Sequence, residues 1–173
     1  YNLSDFGGAF PAFLKTWKSE EAPYLSDLAR FEWNFHEVFH SAPSREFDHS
    51  QLRILETRSD VRFEFQKHLR LFSAPFSVYE MWRHRGDDPE IAGPIDWDQP
   101  EQLFLYKQSQ AIFVQTLEPQ FFAVLEYLVS GLDLERAVSK AAMLFGTIDE
   151  AKMSEFFSDL IKAGVIAGVA PLG

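Results

Sequence analysis

The sequence predicts an α+β protein with a mostly helical N-terminal domain that carries a short strand, and a winged-helix-like C-terminal domain. Apolar residues recur at spacings of three and four along several segments, which is typical of amphipathic helices. Other segments alternate apolar and polar residues, as half-buried strands do. The chain has 173 residues, of which 46% are apolar, so it can bury enough surface to fold.

The N-terminal domain is predicted to cover residues 1–95. A short helix is expected at Phe10–Trp17, followed by a longer one at Pro23–Phe39 whose apolar residues form one broad stripe. The alternation in Val61–Gln66 predicts a strand that can continue to Phe72. Ser77 is expected to cap the next helix with its hydroxyl.

Turn-forming residues dominate between residues 86 and 100, and we place the domain boundary there, so that the second domain covers residues 96–173. This domain opens with two β-rich runs, Leu103–Gln108 and Ala111–Leu117, separated by Ser109-Gln110, which predicts a hairpin. Three helices follow, the first from Glu118-Pro119, the second at roughly Leu134–Phe145 and the third opening at Thr147 or Asp149. Val165-Ile166 can add a short last strand. A glycine ends each helix, and these are Gly131, Gly146 and Gly164.

The chain carries 26 acidic and 16 basic residues, a net charge of −10. A DNA reader of this architecture places its third helix in the major groove and gains affinity by neutralising phosphates. The third helix here, within Asp149–Lys162, contains four acidic and two basic residues. A DNA-binding regulator is therefore only the second hypothesis, and nucleic acid is not an expected partner.

An open strand edge is another way in which such a domain binds a partner. An extended peptide adds a strand to the edge and places side chains in a neighbouring groove, whose second wall would be the third helix. The segment Ala111–Gln115 is rich in β-branched and aromatic residues and is the candidate edge. The alternative for Phe113, Phe156 and Phe157 is that these residues belong to the core. The predicted peptide-binding residues are Ala111, Ile112, Phe113, Val114, Gln115, Lys152, Phe156 and Phe157.

The segment His36-Glu37-Val38-Phe39-His40 matches the H-E-x-x-H pattern, in which two histidines on one helix face bind zinc and the glutamate is a general base. A zinc hydrolase is therefore a third hypothesis. Catalytic zinc needs a third protein ligand, and the residues after His40 lack the glycine and histidine of the extended pattern. Glu56 and Glu64 are only distant candidates. We predict no catalytic residue and no metal site in this chain.

The chain contains no Cys, which excludes disulfides and thiol chemistry and fits a cytoplasmic protein. The sequence has no apolar run of about 20 residues and does not open on a signal-peptide pattern. It begins at Tyr1 without Met, so we expect further residues upstream.

Three segments of the C-terminal domain carry a family resemblance: AIFVQTLEPQFF at residues 111–122, LDLERA at residues 132–137 and FSDLIKAGVI at residues 157–166. Together they resemble the small PqqD-type recognition domain. The resemblance implies a domain that binds the leader peptides of ribosomally made, modified peptides.

The N-terminal domain resembles a further family in the segments FPAFL, YLSDLARFEW and HLRLFSAPFSVYEMW. These segments are similar to the HvfC/BufC-like proteins, which have been regarded as DNA-binding proteins and are related in role to the MbnC subunit of methanobactin synthesis. The blocks LARFEW at residues 28–33 and VYEMW at residues 78–82 are the most specific parts. With the C-terminal segments, the resemblance covers nearly the whole chain.

The resemblance implies a non-catalytic adaptor. Such proteins form a heterodimer with a TIM-barrel oxidase that holds several iron ions and modifies Cys residues of a precursor peptide. The adaptor captures the leader of the precursor and helps to present the rest to the enzyme. The expected partners are therefore the leader peptide and the oxidase. Iron is expected on the oxidase, and no cofactor is expected on this chain.

Overall fold

The computed structural model describes residues 7–17, 20, 22–42, 47–58, 60–87 and 96–171. The protein has a mixed α+β fold, which confirms the predicted class. Its elements in chain order are α1 (Phe10–Thr16), α2 (Leu25–His40), a 3-10 turn (His49–Gln51), α3 (Leu52–Thr57), β1 (Val61–Phe65), β2 (Arg70–Ala74), α4 (Val78–Arg83), β3 (Glu101–Gln108), β4 (Ala111–Thr116), α5 (Pro119–Val129), α6 (Leu134–Phe145), α7 (Glu150–Lys162) and β5 (Ile166–Pro171).

Two small antiparallel sheets organise these elements. In the first sheet β3 lies between β2 and β4, and in the second sheet β1 pairs with β5. The predicted hairpin is confirmed, because β3 and β4 pair in a register that places Gln108 opposite Ala111. Ser109 makes the turn between them with a φ of 56°, a left-handed conformation that is uncommon for a residue other than glycine.

The strand predicted from Val61 does not continue to Phe72. β1 ends at Phe65, and a turn follows in which the Leu69 amide donates to the Gln66 carbonyl at 3.1 Å. β2 then begins a separate strand in the other sheet. The turn at residues 66–69 contains neither Gly nor Pro, so the usual sequence signal for a break is missing.

Strand pairing joins the two sides of the predicted domain boundary. β2 pairs with β3, and β1 pairs with β5, although the strands of each pair lie on opposite sides of residues 88–95. Those residues lie outside the described part of the chain. The division into domains 1–95 and 96–173 stays a prediction. The winged-helix arrangement is not confirmed: β5 pairs with β1 and not with the hairpin.

The three C-terminal helices begin and end close to where the sequence predicts. α6 has the predicted bounds Leu134–Phe145, and the Asp133 carboxylate before it accepts a hydrogen bond from the Arg136 amide at 2.8 Å. Asp149 caps α7 in the same way through two amides of its first turn. Glycines with positive φ follow the helices, at 96° for Gly131, 85° for Gly146 and 68° for Gly164.

Ser77 does not cap α4 with its side chain as predicted. Its hydroxyl donates instead to the carbonyls of Asp96 (2.9 Å) and Gln99 (3.2 Å). The Tyr79 amide in the first turn of α4 donates to Glu101 Oε2 at 2.9 Å. Burial raises the pKa of the Glu101 carboxyl. Glu101 of β3 thus accepts a hydrogen bond from an amide at the start of α4. The local sequence around Ser77 gives no indication of this contact.

The apolar core lies on both faces of the three-stranded sheet. One face packs Leu103 and Leu105 against a cluster that includes Phe31 of α2. The opposite face packs Phe104 and Tyr106 against residues of α5, α6 and α7. β3 is therefore buried on both faces, which explains its continuous apolar run.

No described helix could serve as a membrane span. α2 has 16 residues, fewer than the ~20 apolar residues that a spanning helix needs. Neither α2 nor any other helix in the described ranges is both long enough and apolar enough to cross a bilayer.

Candidate peptide-binding edge

β4 lies at one edge of the three-stranded sheet. Within the described residues it pairs only with β3, and the five predicted residues Ala111–Gln115 all lie in it. A row of its backbone N–H and C=O groups therefore faces away from the sheet. β2, at the other edge, is partly covered, because the Arg30 guanidinium donates to the Ser73 carbonyl and lies over the Phe72 ring.

The β4 strand lacks three of the features that keep strand edges from pairing. The strand reads AIFVQT, without a charged residue and without Pro. Its register with β3 is continuous, so the pair contains no bulge. Charges, prolines and bulges are the usual devices that prevent an exposed edge from joining another chain. Their absence from β4 indicates an edge that is available to a partner strand.

The two faces of β4 have different surroundings. Ile112 and Val114 are half-buried and pack on the cluster beneath α2. Phe113 lies on the opposite face, where 39% of its surface is exposed and its ring stacks on Tyr106 at 5.4 Å. Phe113 thus presents an aromatic surface beside the open edge, on which a side chain of a bound peptide can pack.

Sequence reasoning missed Tyr106 as part of this site. Tyr106 is the direct cross-strand partner of Phe113. The signal was present, because a two-residue turn at Ser109-Gln110 sets the register and pairs residue 106 with residue 113. Burial raises the pKa of the Tyr106 phenol, so its hydroxyl stays protonated at neutral pH.

The two phenylalanines predicted for the second wall pack elsewhere. The ring of Phe157 stacks on Phe63 of β1 at 5.1 Å, and the ring of Phe156 packs on Phe121 of α5 at 5.2 Å. Both phenylalanines are half-buried against the core cluster of the C-terminal helices. These contacts favour the alternative that Phe156 and Phe157 belong to the core.

Lys152 lies at the end of α7 that is remote from the hairpin contact. The Gln108 side-chain amide, in β3, donates to the Lys162 carbonyl at 3.2 Å, near the end of α7. Lys152 precedes Lys162 by ten residues, which corresponds to about 15 Å along a helix. The structure therefore groups the five strand residues with Tyr106, and it does not bring Lys152 to them.

Lys107 and His68 anchor β3 on its neighbours. The Lys107 ammonium donates to the carbonyls of Phe39 (2.8 Å) and Ser41 (3.1 Å), at the end of α2. The carbonyl of Lys107 lies 3.2 Å from Nε2 of the buried His68, and burial lowers the pKa of that imidazole. Lys107 thus caps a helix end, where a cation is favoured.

The H-E-x-x-H segment lies on α2, with the ring centres of His36 and His40 4.4 Å apart. The Glu37 carboxylate, the general base of the zinc hypothesis, accepts a hydrogen bond from Nε of Arg70 at 2.9 Å and is thereby tied to β2. Among the described residues, no group of three His, Asp or Glu could hold a metal ion. The described geometry adds no third ligand to the two histidines.

The exposed surface of α7 is acidic. Glu150, Glu155 and Asp159 are all exposed, and Lys162 forms an ion pair with Asp159 at 3.4 Å. A helix with this surface repels a phosphate backbone. The described contacts thus supply no observation in favour of the DNA hypothesis.

α1 carries an exposed aromatic row. The row consists of Phe10, Phe13 and Trp17, whose exposed fractions are 47%, 56% and 48%. Neighbouring rings in it stack at 6.3 and 6.2 Å. Large aromatic side chains on a surface are enriched at the centres of protein interfaces.

Comparison with protein families, with curated proteins and with solved structures finds no match for this chain. The open edge of β4, the acidic surface of α7 and the aromatic row of α1 are the observations from which a function can be argued.

Proposed function

We propose that this chain is a non-catalytic adaptor that binds the leader of a ribosomally made precursor peptide as an added strand on β4. The observation that carries this proposal is the uncharged, unprotected edge of β4 beside the half-exposed Phe113. In this binding mode main-chain hydrogen bonds supply affinity, and pockets for alternate side chains supply selectivity. The sequence resemblance to PqqD-type domains implies the same class of ligand.

The surroundings of β4 define the leader that fits. Alternate side chains of an added strand fall on the two faces of the sheet. On one face they meet Phe113 and Tyr106, and on the other they continue the apolar surface of Ile112 and Val114. The net charge of −10 disfavours acidic ligands. We therefore expect a leader with apolar residues at alternating positions and with few acidic residues.

The second partner in this proposal is a TIM-barrel oxidase that holds iron and modifies Cys residues of the captured precursor in the cytoplasm. The iron belongs to the oxidase, and this chain contributes binding alone. We assign the contact with the oxidase to the aromatic row of α1, because three exposed stacked rings provide a large apolar area with little side-chain entropy to lose. Each copy of this chain pairs with one copy of the oxidase in a heterodimer.

Fluorescence anisotropy tests the first part of this proposal. The probes are a labelled leader peptide from a precursor encoded beside this protein and a labelled random DNA duplex, both at moderate salt. We expect the peptide to bind with micromolar affinity or better and the duplex not to bind. Binding of the duplex without binding of the peptide would overturn the adaptor function and favour the DNA hypothesis.

The variant Phe113→Asp locates the peptide site. A carboxylate beside the edge removes the aromatic contact and adds a charge that must be desolvated, so we expect peptide affinity to fall by about tenfold or more. Phe13→Asp is the matched control, since Phe13 is also an exposed, stacked ring but lies on α1. Equal peptide affinity of the two folded variants would place the peptide elsewhere.

The same two variants test the oxidase contact, with Phe13→Asp now as the test and Phe113→Asp as the control. In co-elution of this chain with the oxidase, Phe13→Asp should weaken the complex and Phe113→Asp should leave it intact. The crossed design separates the two surfaces, because each variant is the control for the other. A complex that is insensitive to Phe13→Asp would remove the aromatic row from the interface.

A further inference from the structure

β1 has an open edge of its own. It pairs with β5 on one side, and within the described residues no strand pairs with its other side. The outer edge of β5 is partly closed, because the Val169 amide donates to Gln51 Oε1 at 2.8 Å. The two-stranded sheet can therefore be extended at β1.

A groove of about 830 Å³ lies beside β1, and the end of β5 also lines it through Ala170 and Pro171. Residues 62–67 all line it, as happens when a groove runs along a strand backbone. Its other wall includes Leu128 and Val129 at the end of α5, and 46% of Val129 is exposed. The groove thus offers space beside unpaired backbone groups, with polar surface from β1 and apolar surface from the end of α5.

Gln66 has a buried side-chain oxygen that lacks a hydrogen-bond donor among the described residues. Its side chain is only 7% exposed, and its Oε1 has no hydrogen-bond partner among the described residues. Gln66 is also one of the groove-lining residues. A buried amide oxygen without a donor is costly, so native proteins satisfy nearly all such atoms.

The charged residues of β1 are complementary to those of a second β1 strand in antiparallel orientation. Arg62 and Glu64 are exposed and share one face of the strand. In an antiparallel pair of β1 strands centred on Phe63, Arg62 lies opposite Glu64 of the second copy, and Glu64 lies opposite its Arg62. On the other face Val61 and Phe63 are already buried in the core of each copy, so the charged residues supply the new cross-strand contacts. Opposite charges placed across a strand pair stabilise it.

We propose that two copies of this chain associate through antiparallel pairing of their β1 strands. The contact is isologous, since the same strand serves on both sides of a two-fold axis. The alternating charges of β1 select a strand of the complementary pattern, which the chain itself supplies. β4 has no charge with which to make such a selection, so the two edges serve different partners.

Sedimentation velocity on the full chain, from about 1 to 200 μM, tests this dimer. We expect the wild-type protein to form a dimer that dissociates on dilution. Arg62→Glu and Glu64→Arg each turn two attractive pairs into repulsive ones, so each should raise the dissociation constant by about tenfold. The double variant restores opposite charges across the pair and should restore the dimer. An equimolar mixture of the two single variants should form the heterodimer for the same reason.

Both substituted side chains are exposed, and circular dichroism confirms that each variant is folded before its mass is compared. A wild-type protein that stays monomeric at 200 μM overturns the proposal, which is also the outcome expected if the groove takes a strand of another protein. A dimer that is unaffected by the single variants, or that neither the double variant nor the mixture restores, overturns it as well. Leader binding at β4 is expected to be the same in all these variants, so a failure of the dimer does not bear on the proposed function.

Discussion

β3 and β4 are neighbours in one sheet and yet have opposite environments. β3 pairs with a strand on each side, and Leu103, Phe104, Leu105 and Tyr106 in its centre are all buried. β4 pairs on one side, and its residues alternate between half-buried and exposed. The two strands of one hairpin thus have different roles in the fold, since β3 belongs to the core and β4 forms an edge of the sheet.

The same contrast explains why the sequence of the hairpin is asymmetric. A strand buried on both faces needs apolar residues at every position, whereas a strand with one exposed face needs them on the other face only. β3 accordingly is buried at all four positions of the run LFLY, whereas β4 begins with the apolar run AIFV and only Ile112 and Val114, on one face, are half-buried. Substitutions in the two strands should therefore affect different quantities, the free energy of unfolding in β3 and the affinity for a partner in β4.

Leu105→Ala should produce the largest loss of stability. Leu105 is fully buried, so truncation leaves a cavity and should lower the free energy of unfolding by about 2–5 kcal/mol. The matched control is Val114→Ala in its cross-strand partner, which is half-buried and should cost about 1 kcal/mol. Urea denaturation measures both values. Equal losses in the two strands would contradict the division between β3 and β4.

Gln51→Ala extends the comparison to the partly closed outer edge of β5. Its effect on the free energy of unfolding should be intermediate. Removing Gln51 Oε1 deprives the Val169 amide of its acceptor, and we expect a loss of about 1 kcal/mol. Gln115→Ala on the open edge of β4 is the control and should change the free energy of unfolding by less than about 0.5 kcal/mol. If the control costs as much as Gln51→Ala, then β4 is not an open edge.

His68 should make a small, pH-dependent contribution through β3. Burial lowers the pKa of its imidazole below the ordinary value of 6.5, so the unfolded chain binds the proton more tightly than the folded protein does. The contribution of the neutral His68 to the free energy of unfolding is therefore fully present above pH 6.5. It is lost as the pH falls through the lowered pKa. The free energy of unfolding between pH 7.5 and pH 5 should therefore fall more steeply for the wild type than for His68→Gln. Parallel curves would contradict this role.

Local signals predicted much of the fold. The turn at Ser109-Gln110 and the β-rich runs around it predicted the hairpin, and the spacing of apolar residues with Gly146 predicted the bounds of α6. These features depend on residues that are close in sequence. The prediction of an edge at Ala111–Gln115 rested on the composition of that segment, and the structure places the segment at a sheet edge.

Long-range pairing could not be predicted in the same way. β1 finds its partner in β5, about a hundred residues later, and no local pattern specifies which strand pairs with which. The capping of α4 by Glu101 and the packing of Phe157 on Phe63 are further contacts between distant segments. For the same reason the periodicity of α7 showed that one face is apolar but not that this face packs on β1 and α5.

Amide hydrogen exchange of the wild-type protein, with and without the leader peptide, tests the role of β4 most directly. An added strand forms hydrogen bonds with the outward backbone groups of Ala111–Thr116, so exchange in this segment should slow by about tenfold or more when the peptide is bound. Exchange in the already buried β3 should change far less. Binding that leaves exchange in β4 unchanged and slows it in another segment would contradict the assignment of the peptide to this edge.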